Sequence, residues 1–246
     1  MESETKLGMN RTGAQMAPLS APDMLAYARE RGTDSPSPDA PSPTNLTDVQ
    51  IRTTAALESQ RVGSIPPPGT IKGLVSTTLD KVKGTRPEVL IDKLGERAAF
   101  ERGGTRLYDA MLVKCSAAIT PVSGMLEGLQ RIRDEEAAHF LLISEAIESL
   151  GADPTAMTPC ADIVGVQAMG LIQTITDPRT TVPQCLNALL TAELVDNAGW
   201  ELLITLARKS GHEQLATRFE TALAEEQQHM TMVKTWLQDA VLLEAI

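Results

Sequence analysis

The chain has 246 residues, 42% of them hydrophobic, with 22 Lys and Arg against 32 Asp and Glu for a net charge of −10. That size and apolar content suffice for one ordinary core or two small ones, while the acidic surplus argues against nucleic acid as a partner and favours cations. Three cysteines without a CxxC pair give neither a disulfide framework nor a thiolate zinc site; with no basic-then-apolar start and no run of roughly 18 apolar residues, a cytoplasmic protein that touches no membrane is expected.

Ten of the fifteen prolines fall within residues 1–88, concentrated in Ser35-Pro-Ser-Pro-Asp-Ala-Pro-Ser-Pro43 and Pro66-Pro67-Pro68-Gly69. This is linker composition, so 1–88 is expected to be a largely irregular, partly disordered arm. Short helices are expected within it. Ser20 is placed to cap one over 21–31, and Ile71, Leu74, Val75, Leu79 and Val82 share one helical face. The arm holds ten acidic and ten basic side chains, so the whole net charge belongs to residues 89–246.

From 89 onward helical periodicity takes over, and the spacing predicts four long helices near 89–118, 124–150, 183–209 and 212–241. Thr120-Pro121-Val-Ser-Gly124, Gly151-Ala-Asp-Pro154 and Ser210-Gly211 supply the breaks. The link from 151 to 182 is long and carries its own apolar stretch, Ile163 to Leu171, which predicts a short helix in the crossover. The expected fold is all-α: two helical hairpins joined by a long crossover into a four-helix bundle over 89–246.

Two of the three histidines close the same phrase, Glu136-Ala-Ala-His139 and Glu226-Gln-Gln-His229. A Glu and a His three residues apart share a helix face. The second helix has the stripe Leu129, Ile132, Glu136, His139, Ile143, Ile147, Leu150, and the fourth has Leu215, Phe219, Ala222, Glu226, His229, Val233, Trp236. On the first helix Leu94, Ala98, Glu101, Thr105, Tyr108, Leu112 and Cys115 leave Glu101 as the one inward acid; on the third, Leu186, Leu190, Glu193, Asn197, Trp200, Ile204 and Ala207 leave Glu193. An aromatic follows each of these acids by seven residues, Tyr108 and Trp200, and the Glu-to-Glu separations of 35 and 33 make the chain two related hairpins. Buried carboxylates need compensation, which a metal or a salt-bridged structural cluster can give. Two Glu-x-x-His phrases plus one Glu from each remaining helix is the ligand set of a dinuclear metal centre. Trp200 reads as core packing, and His212 lies outside both stripes.

At these residues, over about 89–241, the chain resembles the ferritin-like superfamily, which includes ferritins, bacterioferritins, rubrerythrins and manganese catalases. Phe100-Glu101-Arg102 through Tyr108 is similar to the first-helix ligand motif of ferritins, and Glu135-Glu136-Ala-Ala-His139 and Glu225-Glu226-Gln-Gln-His229 are similar to the superfamily's Asp/Glu-Glu-x-x-His phrase. The resemblance implies one metal on Glu101, Glu136 and His139, another on Glu193, Glu226 and His229, and Glu136 and Glu226 as bridging candidates. It also places Glu135 and Glu225 where relatives hold a carboxylate against a ligand histidine. Asp196 is a further acid toward the edge of its stripe. Hard oxygen donors with one imidazole per metal suit two iron ions, with manganese as the alternative.

The implied chemistry is iron oxidation and handling, or reduction of dioxygen or peroxide, with Tyr108 donating a hydrogen bond or an electron beside the site. Lacking the CxxC pairs of full-length rubrerythrins, the chain would draw electrons from an external donor. A homodimer or larger homo-oligomer is the default assembly. The competing functions are a structural or adaptor protein whose arm binds a partner, and a manganese catalase-like enzyme.

Overall fold

The computed structural model describes residues 46–58, 65, 86–117 and 124–245, and among them six helices form and no strand. They are α1 (Leu46–Glu58), α2 (Pro87–Ser116), α3 (Met125–Ser149), α4 (Pro159–Thr176), α5 (Val182–Lys209) and α6 (Glu213–Ala245). None is long and apolar enough to cross a membrane. The chain divides into two units between Gln60 and Arg61. In the first, α1 has no glycine or proline to interrupt it, and its side chains from Thr53 to Glu58 are exposed. Nothing in the hydrophobic spacing singled this helix out. The helices expected over 21–31 and 71–82, and the Thr120–Ser123 part of the first break, lie outside the described residues.

In the second unit the ends of the helices follow from local chemistry. Pro87 and Pro159 occupy first-turn positions where a missing N–H costs nothing, and the Thr158 hydroxyl accepts from the Ala161 amide. Thr181 and Gln184 form a reciprocal capping box at the start of α5. The C-terminal ends of α3 and α5 are built alike. Gly151 (φ 78°) and Gly211 (φ 81°) take the left-handed conformation. The next amide in each turn, Ala152 or His212, donates back to Ile147 O (3.1 Å) or Ala207 O (2.9 Å), the Schellman arrangement that only glycine enters without a Cβ penalty.

The hairpins α2–α3 and α5–α6 pack with α2 against α5 and α3 against α6, while α4 crosses over along α2 and touches α5. This is the two-hairpin bundle expected from the sequence, with each long helix within a few residues of its predicted span except α6, which runs four residues further to Ala245. The crossover helix is the larger difference: α4 has 18 residues, because Thr158 and Pro159 start it upstream of the apolar stretch. Two contacts lock it in place. Asp92 Oδ1 accepts from the Cys160 amide (2.9 Å), and Lys114 Nζ donates to Asp177 O (2.6 Å) and Thr180 O (3.1 Å). With α4 covering it, α2 buries Leu107 and Met111 as well as its expected stripe, whose Thr105 and Leu112 are only partly covered.

Two apolar layers fill the bundle. One is built on Leu107, Met111, Met125, Leu129, Ile132, Leu186, Leu189 and Val233; the other on Leu90, Leu94, Ile143, Ile147, Trp200, Leu203 and Phe219. Between them, on all four long helices, comes a buried polar layer at 101, 136–139, 193–197 and 226–229.

Replacing Gly211 by Ala forces a side chain into the left-handed region and should lower unfolding free energy by about 1–2 kcal/mol. Gly103→Ala, mid-helix with open space around the added Cβ, should instead raise it by up to about 1 kcal/mol. Urea unfolding midpoints of the two variants check the opposite signs.

Candidate metal centre

Every acid and histidine that the helical periodicity aimed inward reaches the polar layer. Glu101 (α2), Glu136 and His139 (α3), Glu193 (α5), and Glu226 and His229 (α6) are all 2% exposed or less. A carboxylate at such depth needs a partner for each oxygen or an opposing charge.

Glu226 is central. Its Oε1 lies 2.6 Å from His139 Nδ1 and its Oε2 lies 3.1 Å from His229 Nδ1, so one carboxylate spans both imidazoles, whose ring centroids are 6.0 Å apart. Both rings turn Nδ1 inward and Nε2 outward. His139 Nε2 meets Glu225 Oε2 at 2.7 Å and His229 Nε2 meets Glu135 Oε2 at 2.7 Å. Each outer acid therefore holds the histidine of the opposite helix, bracing α3 to α6 twice. A carboxylate on the outer nitrogen keeps the proton there, which leaves Nδ1 free as a donor atom for a metal.

Two more side chains complete the layer. The Tyr108 hydroxyl donates to Glu193 Oε1. Arg97, 5% exposed, sets Nε 3.0 Å from Glu101 Oε1 and Nη1 2.6 Å from Asp196 Oδ1, and donates to the Asp196 carbonyl at 3.0 Å. Two glycines make this possible. A Cβ on Gly104 would collide with the Glu136 carboxylate, and one on Gly199 with the Arg97 guanidinium. Asn197 donates to the carbonyls of Glu193 (2.9 Å) and Glu226 (3.2 Å), tying α5 to α6 at the same level.

Crowding sets the protonation. Burial pushes Glu101, Glu136 and Glu193 well above the usual carboxylate range, and the neighbouring acids push further. Burial also raises Asp196, to about 7 despite Arg97. For Glu226 burial acts upward too, but the two imidazoles against it prevail and bring it to about 2. Burial would lower His139 and His229, and the Glu226 contact outweighs it, so both are raised. Tyr108 is driven well up by burial and then by Glu193, which keeps its proton on the oxygen.

The donors are still short of partners. Glu101 Oε1 and Oε2, Glu136 Oε2, Glu193 Oε2, Glu226 Oε1 and His139 Nδ1 are buried without an aligned hydrogen bond. Donor atoms of Glu136, Glu193, Glu226 and His229 lie within 4.8 Å of one another, as do those of Glu101, His139 and Glu226, and those of Glu101, Glu136, Asp196 and Glu226. Converging orphaned oxygens with an inward imidazole nitrogen in each half are the environment a pair of divalent cations fits. Glu226 belongs to every group, as a bridge would. Glu136 gathers with His229, whose Nδ1 lies 3.6 Å from its Oε1, rather than with His139 of its own helix.

Sequence spacing found all six of these residues, and the structure brings all six together with Tyr108. It did not find Arg97, although Arg97 and Glu101 at i and i+4 were a visible pair. Asp196, placed at the stripe's edge, is in fact 2% exposed because Arg97 reaches across from α2 to meet it. Trp200 packs as expected, edge-on to His139 (centroids 5.6 Å) and against Phe219, and His212 lies outside the layer.

The family model of the ferritin-like domain matches residues 121–243. No curated protein matches the chain. Among solved structures, a ferritin-like, diiron-carboxylate protein from Bacillus anthracis str. Ames is similar, with a TM-score of 0.49 and 20% identity over 60% of this chain and 94% of that one.

A group whose pKa is raised by folding adds stability at low pH and loses it as pH climbs to the folded value. Glu101, Glu136, Glu193, Asp196, His139 and His229 are all of this kind. Glu226 is the opposite, but its contribution is lost only in strong acid. The metal-free protein should therefore lose thermal stability as pH rises from about 5 to about 7.5, and a divalent metal that replaces those protons should flatten or reverse the trend. Melting curves with chelator and with Mn(II) test this; a metal-free Tm that climbs with pH contradicts it. Separately, Gly104→Ala should displace the Glu136 carboxylate and weaken metal uptake by about 10- to 100-fold while the helix content in circular dichroism is kept.

Proposed function

Since this chain belongs to the ferritin-like domain family, we propose that its polar layer holds two metal ions, iron first among them, and serves in iron oxidation and handling or in the reduction of dioxygen or peroxide. The observation that carries the reading is the convergence of buried oxygens from four glutamates on two inward imidazole nitrogens, with oxygens of Glu101, Glu136 and Glu193 still short of partners. Four ionised glutamates balance two divalent cations, and Arg97 and Asp196 balance each other. Two redox metals side by side supply paired one-electron changes to a small oxidant.

The protein's own groups then have distinct tasks. Glu101 and His139 would hold one ion and Glu193 and His229 the other, with Glu226 between them and Glu136 able to lean to either. Glu135 and Glu225 fix the rings so that Nδ1 points inward whatever the state of the site. Tyr108, protonated and donating to Glu193, steadies that carboxylate and stands next to the ions as a source of a hydrogen bond or an electron. The flanking apolar layers keep bulk water from the donors. Reducing equivalents come from an external donor. Manganese is held by the same donor types, so metal analysis of protein purified without added metal decides between the two.

Anaerobic titration with Fe(II) should load about two ions per chain, and later exposure to dioxygen or peroxide should change the near-ultraviolet absorption. Glu226→Ala should leave about one ion or fewer and slow the oxidation by at least about 10-fold. Intact protein that stays iron-free after anaerobic loading rules the reading out.

A further inference from the structure

Arg97 breaks the symmetry of the two hairpins. It stands four residues before Glu101, where the second hairpin has Leu189, fully buried, four residues before Glu193. The two equivalent acids consequently meet different neighbours: Glu101 faces a guanidinium, Glu193 the neutral hydroxyl of Tyr108. Arg97 is enclosed. Asp196 grips Nη1 with its carboxylate at 2.6 Å and its carbonyl at 3.0 Å, Phe100 lies under the guanidinium with its ring centroid 4.2 Å away, and Gly199 supplies the space that a side chain would take. A guanidinium keeps its charge at any working pH, and a buried charge is poorly screened.

We propose that Arg97, anchored by Asp196, makes the two metal positions unequal, so that the Glu193–His229 position fills first and the Glu101–His139 position second and more weakly. This rests on the reading that the layer binds two metal ions. Arg97 Nε lies 3.0 Å from Glu101 Oε1, so this oxygen must be shared between the guanidinium and an incoming cation, while Oε2, 3.7 Å from His139 Nδ1, is the one left free. A cation there also approaches a fixed positive charge. The donor groups agree: three carboxylates converge with His229, two with His139, and the third cluster has to draw on Asp196, which Arg97 already holds. Arg97 is thus a positioning residue that fixes Glu101 and sets the order of filling.

Anaerobic titration of the full chain with Co(II), followed by calorimetry and by the visible ligand-field bands, should give two steps with dissociation constants about 10- to 100-fold apart. His229→Ala should remove the tighter step and His139→Ala the weaker. The double variant R97L/D196L removes both charges, so that neither is left buried and unpaired, and should bring the two constants within about threefold. Arg97→Lys should keep the steps apart. Equal affinities in the unaltered protein overturn the inference, and so do an unchanged gap in the double variant or loss of the tighter step with His139→Ala. If the double variant fails to fold, the unaltered protein and the two histidine variants decide. Two equal sites would leave the proposed function standing; no cobalt uptake at all would remove both.

Discussion

Four glutamates facing one another in a layer that water does not reach is the constraint on which the bundle turns. Each carboxylate lost its hydration when the helices closed, and the internal donors are few: two imidazoles, one tyrosine hydroxyl and one guanidinium. Burying such a layer is strongly unfavourable unless protons or cations join it. In the metal-free protein burial and the neighbouring acids favour the protonated forms of Glu101, Glu136 and Glu193, while the two histidines favour the ionised form of Glu226. On the proposed reading, metal ions displace those protons and the same atoms become ligands.

The scaffold holds the layer from both sides. Because the two helices of each hairpin run in opposite directions and the crossover makes α3 and α5 run alike, one apolar layer uses the start of α3 and α5 with the end of α2 and α6, and the other uses the reverse. The acids fall at the middle of all four helices, where fraying is least. Outside the layer, the crossed pairs Glu135–His229 and Glu225–His139 couple α3 and α6, and Asn197 couples α5 to α6. Asn197 acts within the second hairpin, whereas neither hairpin alone makes the crossed pairs, so the layer is complete only where the two hairpins meet.

Helical periodicity made the bundle and its six inward acids and histidines legible, since both depend on which residues share a face and a period of 3.6 states that directly. What stayed hidden depends on reach between helices. Arg97 sits beside the stripe, and only the long side chain, the gap at Gly199 and the carboxylate of Asp196 on another helix bring it inside. The partners of Glu135 and Glu225 were equally beyond a one-helix pattern: the sequence left open which histidine each acid meets, and the bundle gives each the one on the opposite helix. The crossover helix outgrew its apolar stretch because its start is set by a cap and a proline, and the side chains of α1 from Thr53 to Glu58 are exposed.

Glycine placement argues that the layer, rather than helix stability, governs this part of the sequence. A mid-helix glycine costs about 1 kcal/mol relative to alanine. Gly104 and Gly199 both accept that cost inside long helices, and in each case an added Cβ would strike a charged group of the layer: the carboxylate of Glu136 or the guanidinium of Arg97. Gly104 makes room for a proposed ligand. Gly199 makes room for the Arg97 guanidinium, which on the proposed reading opposes a cation at the neighbouring position. A chain optimised only to bind two ions tightly would gain nothing from the second gap, so the space kept for Arg97 points to a site in which unequal occupancy is part of how it works.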